Sequence, residues 1–123
     1  MRLTLHTDFA LRVLIHVALN KDKLTTINDI AQSFGISKPH LMKVVSYLSQ
    51  KRYLYTTRGR NGGVRLMREP RHINIGEVVR DSESDFYIAE CFEAEPGHCA
   101  FLRDCALKRK LSEATEAFLH GEA

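Results

Sequence analysis

Every thiol of this chain is confined to one stretch of fifteen residues, which holds Cys91, Cys99 and Cys105. Seven residues separate the first pair and five the second, and the intervening Glu95-Pro96-Gly97 reads as a turn that can fold Cys99 back towards Cys91. Cys105 opens a helical pattern, so its sulfur is expected near helix N-terminal amides, which favour a thiolate. Thiolates bind soft metals and iron–sulfur clusters, and three on one loop look like such a site with one ligand missing. Three unrelated core cysteines are the plainer explanation, but their confinement to a short polar loop argues against it. A thiol-redox enzyme would need a close Cys-x-x-Cys pair, and none is present in the sequence. A zinc- or thiol-based regulator is the stronger rival, although the spacing fits poorly with the usual short zinc knuckles.

Charge shows what the loop is attached to. From Ser37 to Arg71 there are nine Lys and Arg residues against the single acid Glu69, whereas from Asp81 to Asp104 seven acids face only Arg103. The first segment is built to meet an anion and the thiol segment is not. Within the basic segment lies a helix-turn-helix pattern. Thr26 and Asp29 form a capping box for a helix that places Ile27, Ile30, Ala31 and Phe34 on one face. Gly35 breaks it, Ile36 plugs the turn, and Ser37 is the expected cap of a second helix with Pro39 in its first turn. That helix turns Leu41, Val44, Val45 and Leu48 inward, and Lys38, His40, Lys43, Ser46 and Tyr47 fall on its other face. Two β-prone runs follow, Tyr53 to Thr57 and Val64 to Met67, joined by Arg58-Gly59-Arg60-Asn61-Gly62-Gly63 with an Asn-Gly hairpin signal. A basic hairpin directly after a recognition helix is a wing. The residues predicted to meet double-stranded DNA are therefore Ser37, Lys38, Pro39, His40 and Lys43 on the helix, and Arg58, Gly59, Arg60, Asn61, Gly62 and Gly63 on the wing.

Three further helices flank this unit. Thr7 is the expected N-cap of the first, with Asp8 in its first turn and an almost wholly apolar run from Phe9 to Leu19. So apolar a helix must be covered on more than one side, by its own domain and by a partner chain. Asn74 is a cap-like start for a short helix through Val78-Val79-Arg80. After Cys105, Leu107, Leu111, Ala114 and Phe118 recur at helical spacing, a stripe expected to make a dimer contact. The fold expected is mainly α with a small β wing: a winged helix-turn-helix plus a C-terminal dimerisation helix. Residues 1–80 form the DNA-binding domain, with the helix-turn-helix at about 26–50 and the wing at about 53–67. Residues 81–123 form the iron–sulfur loop and dimerisation helix. A length of 123 residues suits one domain. With no signal peptide, no run long enough to span a membrane and an odd cysteine count, a cytoplasmic protein without membrane contact is expected.

The first helix with Thr7-Asp8-Phe9-Ala10-Leu11-Arg12, the helix-turn-helix, the wing Arg58-Gly59-Arg60-Asn61-Gly62-Gly63-Val64-Arg65-Leu66, the three-cysteine loop and a terminal helix occur here in one order. That order resembles the winged-helix iron–sulfur regulators over nearly the whole chain. Ile73-Asn74-Ile75-Gly76-Glu77-Val78-Val79-Arg80 and Pro96-Gly97-His98-Cys99 are similar to the branch of that family that represses transcription and senses nitric oxide. The resemblance implies a homodimeric repressor, not an enzyme, that binds a DNA operator and releases it when nitric oxide nitrosylates the cluster. It implies a cluster held by Cys91, Cys99 and Cys105, four-iron rather than two-iron, with Asp8 of the other subunit as fourth ligand. His98 and His6 are rival ligands. In another branch, which responds to redox or iron status, a histidine three residues beyond the last cysteine completes the site; here that position is Lys108. Members of the family usually continue beyond the terminal helix, so a longer natural chain is expected.

Overall fold

The computed structural model describes residues 2–60, 62–93, 97, 99–101 and 103–120. It contains five helices and one two-stranded antiparallel sheet among those residues, the mainly α architecture with a small wing that the sequence predicts. Helix α1 runs over Leu5–Leu19 and buries Ala10, Val13, Leu14 and Val17. Its cap is Thr4 rather than Thr7: the Thr4 side chain accepts the Thr7 N–H at 3.2 Å, and Thr7 is itself buried inside the first turn. Two threonines three apart offer the same capping chemistry, and burial of the second starts the helix a turn early.

Helix α2, Ile27–Phe34, opens with the expected capping box: the Asp29 N–H donates to Thr26 Oγ1 at 3.1 Å and the Thr26 N–H to Asp29 Oδ2 at 3.2 Å. Gly35 ends it in the left-handed region at φ +64°, which lets Ile36 turn back into the core. Helix α3, Lys38–Gln50, then buries Leu41, Val44, Val45 and Leu48 against α1 and α2. Ser37 holds its N-cap position, but its side chain makes no capping hydrogen bond, contrary to expectation. The helix ends in a Schellman pattern, with the Arg52 N–H on Ser49 O at 3.1 Å and the Tyr53 N–H on Leu48 O at 2.9 Å. Arg52 takes the left-handed position there, at φ 65°.

The wing pairs β1, Leu54–Thr57, with β2, Gly63–Leu66, in the register Leu54 opposite Leu66 and Thr57 opposite Gly63. Leu54 and Val64 face the core, and a single bridge from Thr25, whose carbonyl accepts the Val64 N–H at 2.6 Å, ties the sheet to the α1–α2 connection. Helix α4, Ile75–Ser82, starts as predicted at Asn74, whose side chain accepts the Glu77 N–H at 3.0 Å. Helix α5, Ala106–Leu119, buries Leu119 alone. Its last turn docks on α4: Leu119 O accepts from Arg80 Nη1 at 2.8 Å and lies so near Gly76 that a Cβ there would sit 1.6 Å from it. Leu107 and Phe118 of the predicted apolar stripe are exposed. No helix among the described residues is long and apolar enough to cross a membrane.

Candidate nucleic-acid interface and metal centre

The N-terminal half of α3 projects Ser37, Lys38, Pro39 and Lys43 into solvent. His40 is half-buried, its ring 4.8 Å from that of Phe9 on α1. Tyr47 departs from the outward role expected of it. Its hydroxyl donates to the Asp81 carbonyl of α4, and its ring meets His6 edge-on at 4.8 Å. Position on a helical wheel shows which way a side chain leaves its own helix, not that a neighbouring helix stands within its reach. Met42, missed in the sequence, is 51% exposed between Lys38 and Ser46. Its place outside the inward stripe was the signal, and an exposed thioether on this face can meet thymine methyl groups.

The wing tip carries Arg58, Gly59 and Arg60, all exposed. Gly59 stands at φ +103°, and its carbonyl accepts the Gly62 N–H at 2.9 Å, closing the tip. Gly62 tolerates no side chain, since a Cβ would lie 2.2 Å from Thr57 O. Gly63 packs within β2, where a Cβ would meet Leu24 and the Thr25 carbonyl at 2.7 Å. Asn61 lies outside the described residues. The arrangement is a helix N-terminus and a two-arginine loop on a sheet anchored in the core, suited to phosphate contact and groove insertion.

The thiols lie at the other end of the chain's charge gradient. Cys91 sits half-buried in a single 3-10 turn, Glu90–Phe92, Cys99 is exposed, and Cys105 is half-buried at the N-cap of α5. All three are free. Cys105 Sγ accepts the Lys108 N–H at 3.4 Å, as its place before a helix predicts. The Lys108 ammonium lies 5.3 Å from the Phe92 ring centre, joining the two cysteine-bearing segments. The loop also folds back, since Gly97 packs directly on the Glu90 carboxylate. The predicted turn residues Glu95 and Pro96 and the rival ligand His98 lie outside the described residues. Among the described residues no three Cys, His, Asp or Glu side chains converge as a metal site. The donor set nevertheless fits a soft metal or iron–sulfur group, with free thiols and an amide already directed at one sulfur.

Asp8 occupies the first turn of α1, where its carboxylate takes Arg12 Nε at 3.0 Å and Nη2 at 3.2 Å. The Arg12 guanidinium also lies over the rings of Phe9 and Phe34, at 5.8 and 5.9 Å. Any ligand role for Asp8 therefore competes with a two-point ion pair. His6, the other rival, is half-buried against Tyr47.

Comparison with known proteins adds to this geometry. Residues 3–120 match the family model Rrf2, described as an iron-dependent transcriptional regulator. Over 120 residues, 97% of this chain, it is 51% identical to the HTH-type transcriptional regulator NsrR of Bacillus licheniformis, covering 84% of that protein. The NsrR of Bacillus subtilis is 50% identical over the same share, with 82% of it covered. Among solved structures, CymR, the global cysteine regulator of B. subtilis, superposes with a TM-score of 0.76 at 23% identity, over 97% of this chain and 89% of that one. IscR of T. potens gives 0.72 at 20% identity, over 98% and 80%. These two likenesses show the fold.

Proposed function

The chain belongs to the Rrf2 family of transcriptional regulators, and from that premise we propose that it is a homodimeric repressor whose iron–sulfur cluster senses nitric oxide. It is a DNA-binding regulator and not an enzyme. The observation that carries the finer reading is the attachment of three free thiols, one of them accepting a helix N-terminal amide, to a winged helix through α4 and α5. Cys91, Cys99 and Cys105 are the proposed thiolate ligands, and Asp8 of the second subunit the proposed fourth. When bound, a cluster supplies iron that nitric oxide can coordinate, and a carboxylate-ligated iron is the more labile one. A four-iron cluster is preferred to a two-iron one.

On the DNA side, Lys38, Pro39, His40 and Lys43 are assigned to the major groove, with Ser37 at the helix end facing the backbone. Arg58 and Arg60, carried on Gly59, Asn61, Gly62 and Gly63, are assigned to phosphates or the minor groove. The likeness to the NsrR relatives supports the transcriptional-regulator reading, and the nitric-oxide signal follows from the family resemblance of the cysteine loop; the glycine-closed, two-arginine tip supports the wing reading.

The deciding experiment is anaerobic isolation, with iron and sulfide measured beside the visible spectrum, followed by operator binding with and without nitric oxide. A brown protein that releases DNA on nitric oxide treatment is the expected result, and Cys91→Ala, Cys99→Ala and Cys105→Ala should each lose the cluster but remain folded. A colourless protein carrying stoichiometric zinc overturns the cluster reading. A cluster-loaded protein indifferent to nitric oxide overturns the signal alone. Asp8 is tested by mixing Asp8→Ala chains with chains lacking the three cysteines. In those heterodimers, an intact thiol loop meets an intact Asp8, and one site with the parent spectrum should return.

A further inference from the structure

The last residues of α4 touch the two DNA-reading parts and two other helices. Arg80 donates to Leu119 O at the end of α5, at 2.8 Å. Asp81 Oδ2 accepts the Tyr53 hydroxyl at 3.0 Å, and the Asp81 carbonyl accepts the Tyr47 hydroxyl. Glu83, the C-cap, receives the Thr4 N–H of the α1 N-cap at 2.8 Å. Tyr47 lies near the end of the recognition helix, and Tyr53 is the residue from which the wing departs. Tyr53 is 1% exposed, so Asp81 satisfies a phenol otherwise cut off from water. On its other side the Tyr53 ring carries the Arg68 guanidinium, 4.4 Å from its centre, and Arg68 in turn pairs with Glu77 of α4 at 3.9 Å. The base of the wing is thus gripped by α4 twice and the recognition helix once.

We propose that Asp81 is a positioning residue for DNA recognition, setting the recognition helix and the wing relative to each other through the hydroxyls of Tyr47 and Tyr53. This rests on the winged-helix reading of the DNA interface and deepens it. Neither tyrosine is needed to touch DNA. Both hold elements that do, and both hang from one residue of a helix outside the helix-turn-helix. Base readout demands that helix and wing engage adjacent grooves together, whereas phosphate attraction tolerates misalignment. A loosened Asp81 should therefore cost specific binding and spare non-specific binding.

The test uses the full chain, a duplex that the parent protein selects from a randomised pool, and a mixed-sequence duplex of equal length. Asp81→Ala should lose about tenfold in affinity for the selected duplex, comparable to one base contact, while affinity for the mixed duplex stays within about twofold. Asp81→Asn keeps an acceptor oxygen for Tyr53 and should restore most of the loss. If Asp81→Ala does not fold, Tyr47→Phe decides: it removes one hydroxyl and should lower the specific-to-non-specific ratio about threefold, while a cooperative melting transition shows that it still folds. A folded Asp81→Ala or Tyr47→Phe with the parent's ratio overturns the proposal. A parent that selects no duplex overturns instead the DNA reading beneath it.

Discussion

At the scale of single residues, Tyr53 makes a pH prediction. Burial first, then its hydrogen bond to Asp81 and the charges of Asp81 and Glu77, raise its phenol above the ordinary value of 10.0, against a smaller lowering by Arg68. The folded protein thus keeps a proton that the unfolded chain loses above pH 10. The associated stability is full below that pH and declines as pH rises beyond it. The urea midpoint of the parent should fall between pH 10 and 11.5, and Tyr53→Phe should show a shallower fall; equal slopes would discharge Tyr53 from this role. Asp29 works at the other end. The Thr26 backbone N–H, then its hydroxyl, hold the Asp29 carboxyl below the ordinary 3.8, so its contribution is present above that pH and fades as pH drops beneath it. The Thr26–Asp29 box was legible from residue type and spacing alone. The Tyr47–Asp81 contact was not, because its partners stand 34 positions apart and neither carries a local signal. The Asp8–Arg12 pair is legible in principle, being four residues apart on one helix face, although that spacing does not distinguish it from a dipole-favoured acid or a ligand.

At the scale of elements, the two helix ends of the helix-turn-helix unit are opposite cases of one rule. Gly35 occupies a left-handed position with open space around the missing Cβ, so a substitution there meets only conformational strain. Gly35→Ala should cost about 1 kcal/mol, read as a lower urea midpoint with an unchanged slope. Arg52 holds the equivalent position of a Schellman end without being glycine. Arg52→Gly should stabilise by about 0.5–1 kcal/mol, and a loss instead would mean that the Arg52 side chain makes a compensating contact. Gly35 marked its helix end in the sequence, whereas Arg52 hid the other. Helix existence was legible wherever a 3.6-residue period ran for two turns or more, and so were the inward faces of α2 and α3, whereas on α5 the periodic stripe of Leu107 and Phe118 is exposed and Leu119 beside it is buried. The Thr25 bridge and the 3-10 turns at Pro70–His72 and Glu90–Phe92 were not, being too short to show any period.

Across the whole molecule, apolar surface remains on two helices. Leu5, Ile15 and Leu19 lie along α1 on the face that carries Asp8 and Arg12, and Leu107 and Phe118 lie along α5. Beside α5 a groove of about 590 Å³ is lined by Leu3, Phe86, Ile88 and Phe118. The sequence anticipated this much, since an all-round apolar α1 needs more cover than one small domain provides. In the proposed homodimer a second copy covers these faces. Ile15→Glu and Phe118→Glu should each shift sedimentation from dimer towards monomer while leaving the fold intact, because both side chains are already exposed. A dimer unaffected by both would place the interface elsewhere.

The docking of α5 by its last turn makes it a lever. Leu119 is its one buried residue and its pivot lies on Gly76 and Arg80, whereas Cys105 stands at the far end. Fourteen residues of helix give an arm of about 20 Å, so a tilt of roughly 10° at the pivot sweeps the thiol through about 3–4 Å. In the proposed ligand role, the Cys105 sulfur would be held to within about 0.2 Å, roughly fifteen- to twentyfold finer than such an arm delivers from a single hinge. That role therefore needs a second brace at the sulfur end, and among the described residues the Lys108–Phe92 contact supplies one. Run in reverse, the same arm gears a coarse displacement at the thiols down to a fine rotation at Asp81, the residue next to Arg80 of the hinge.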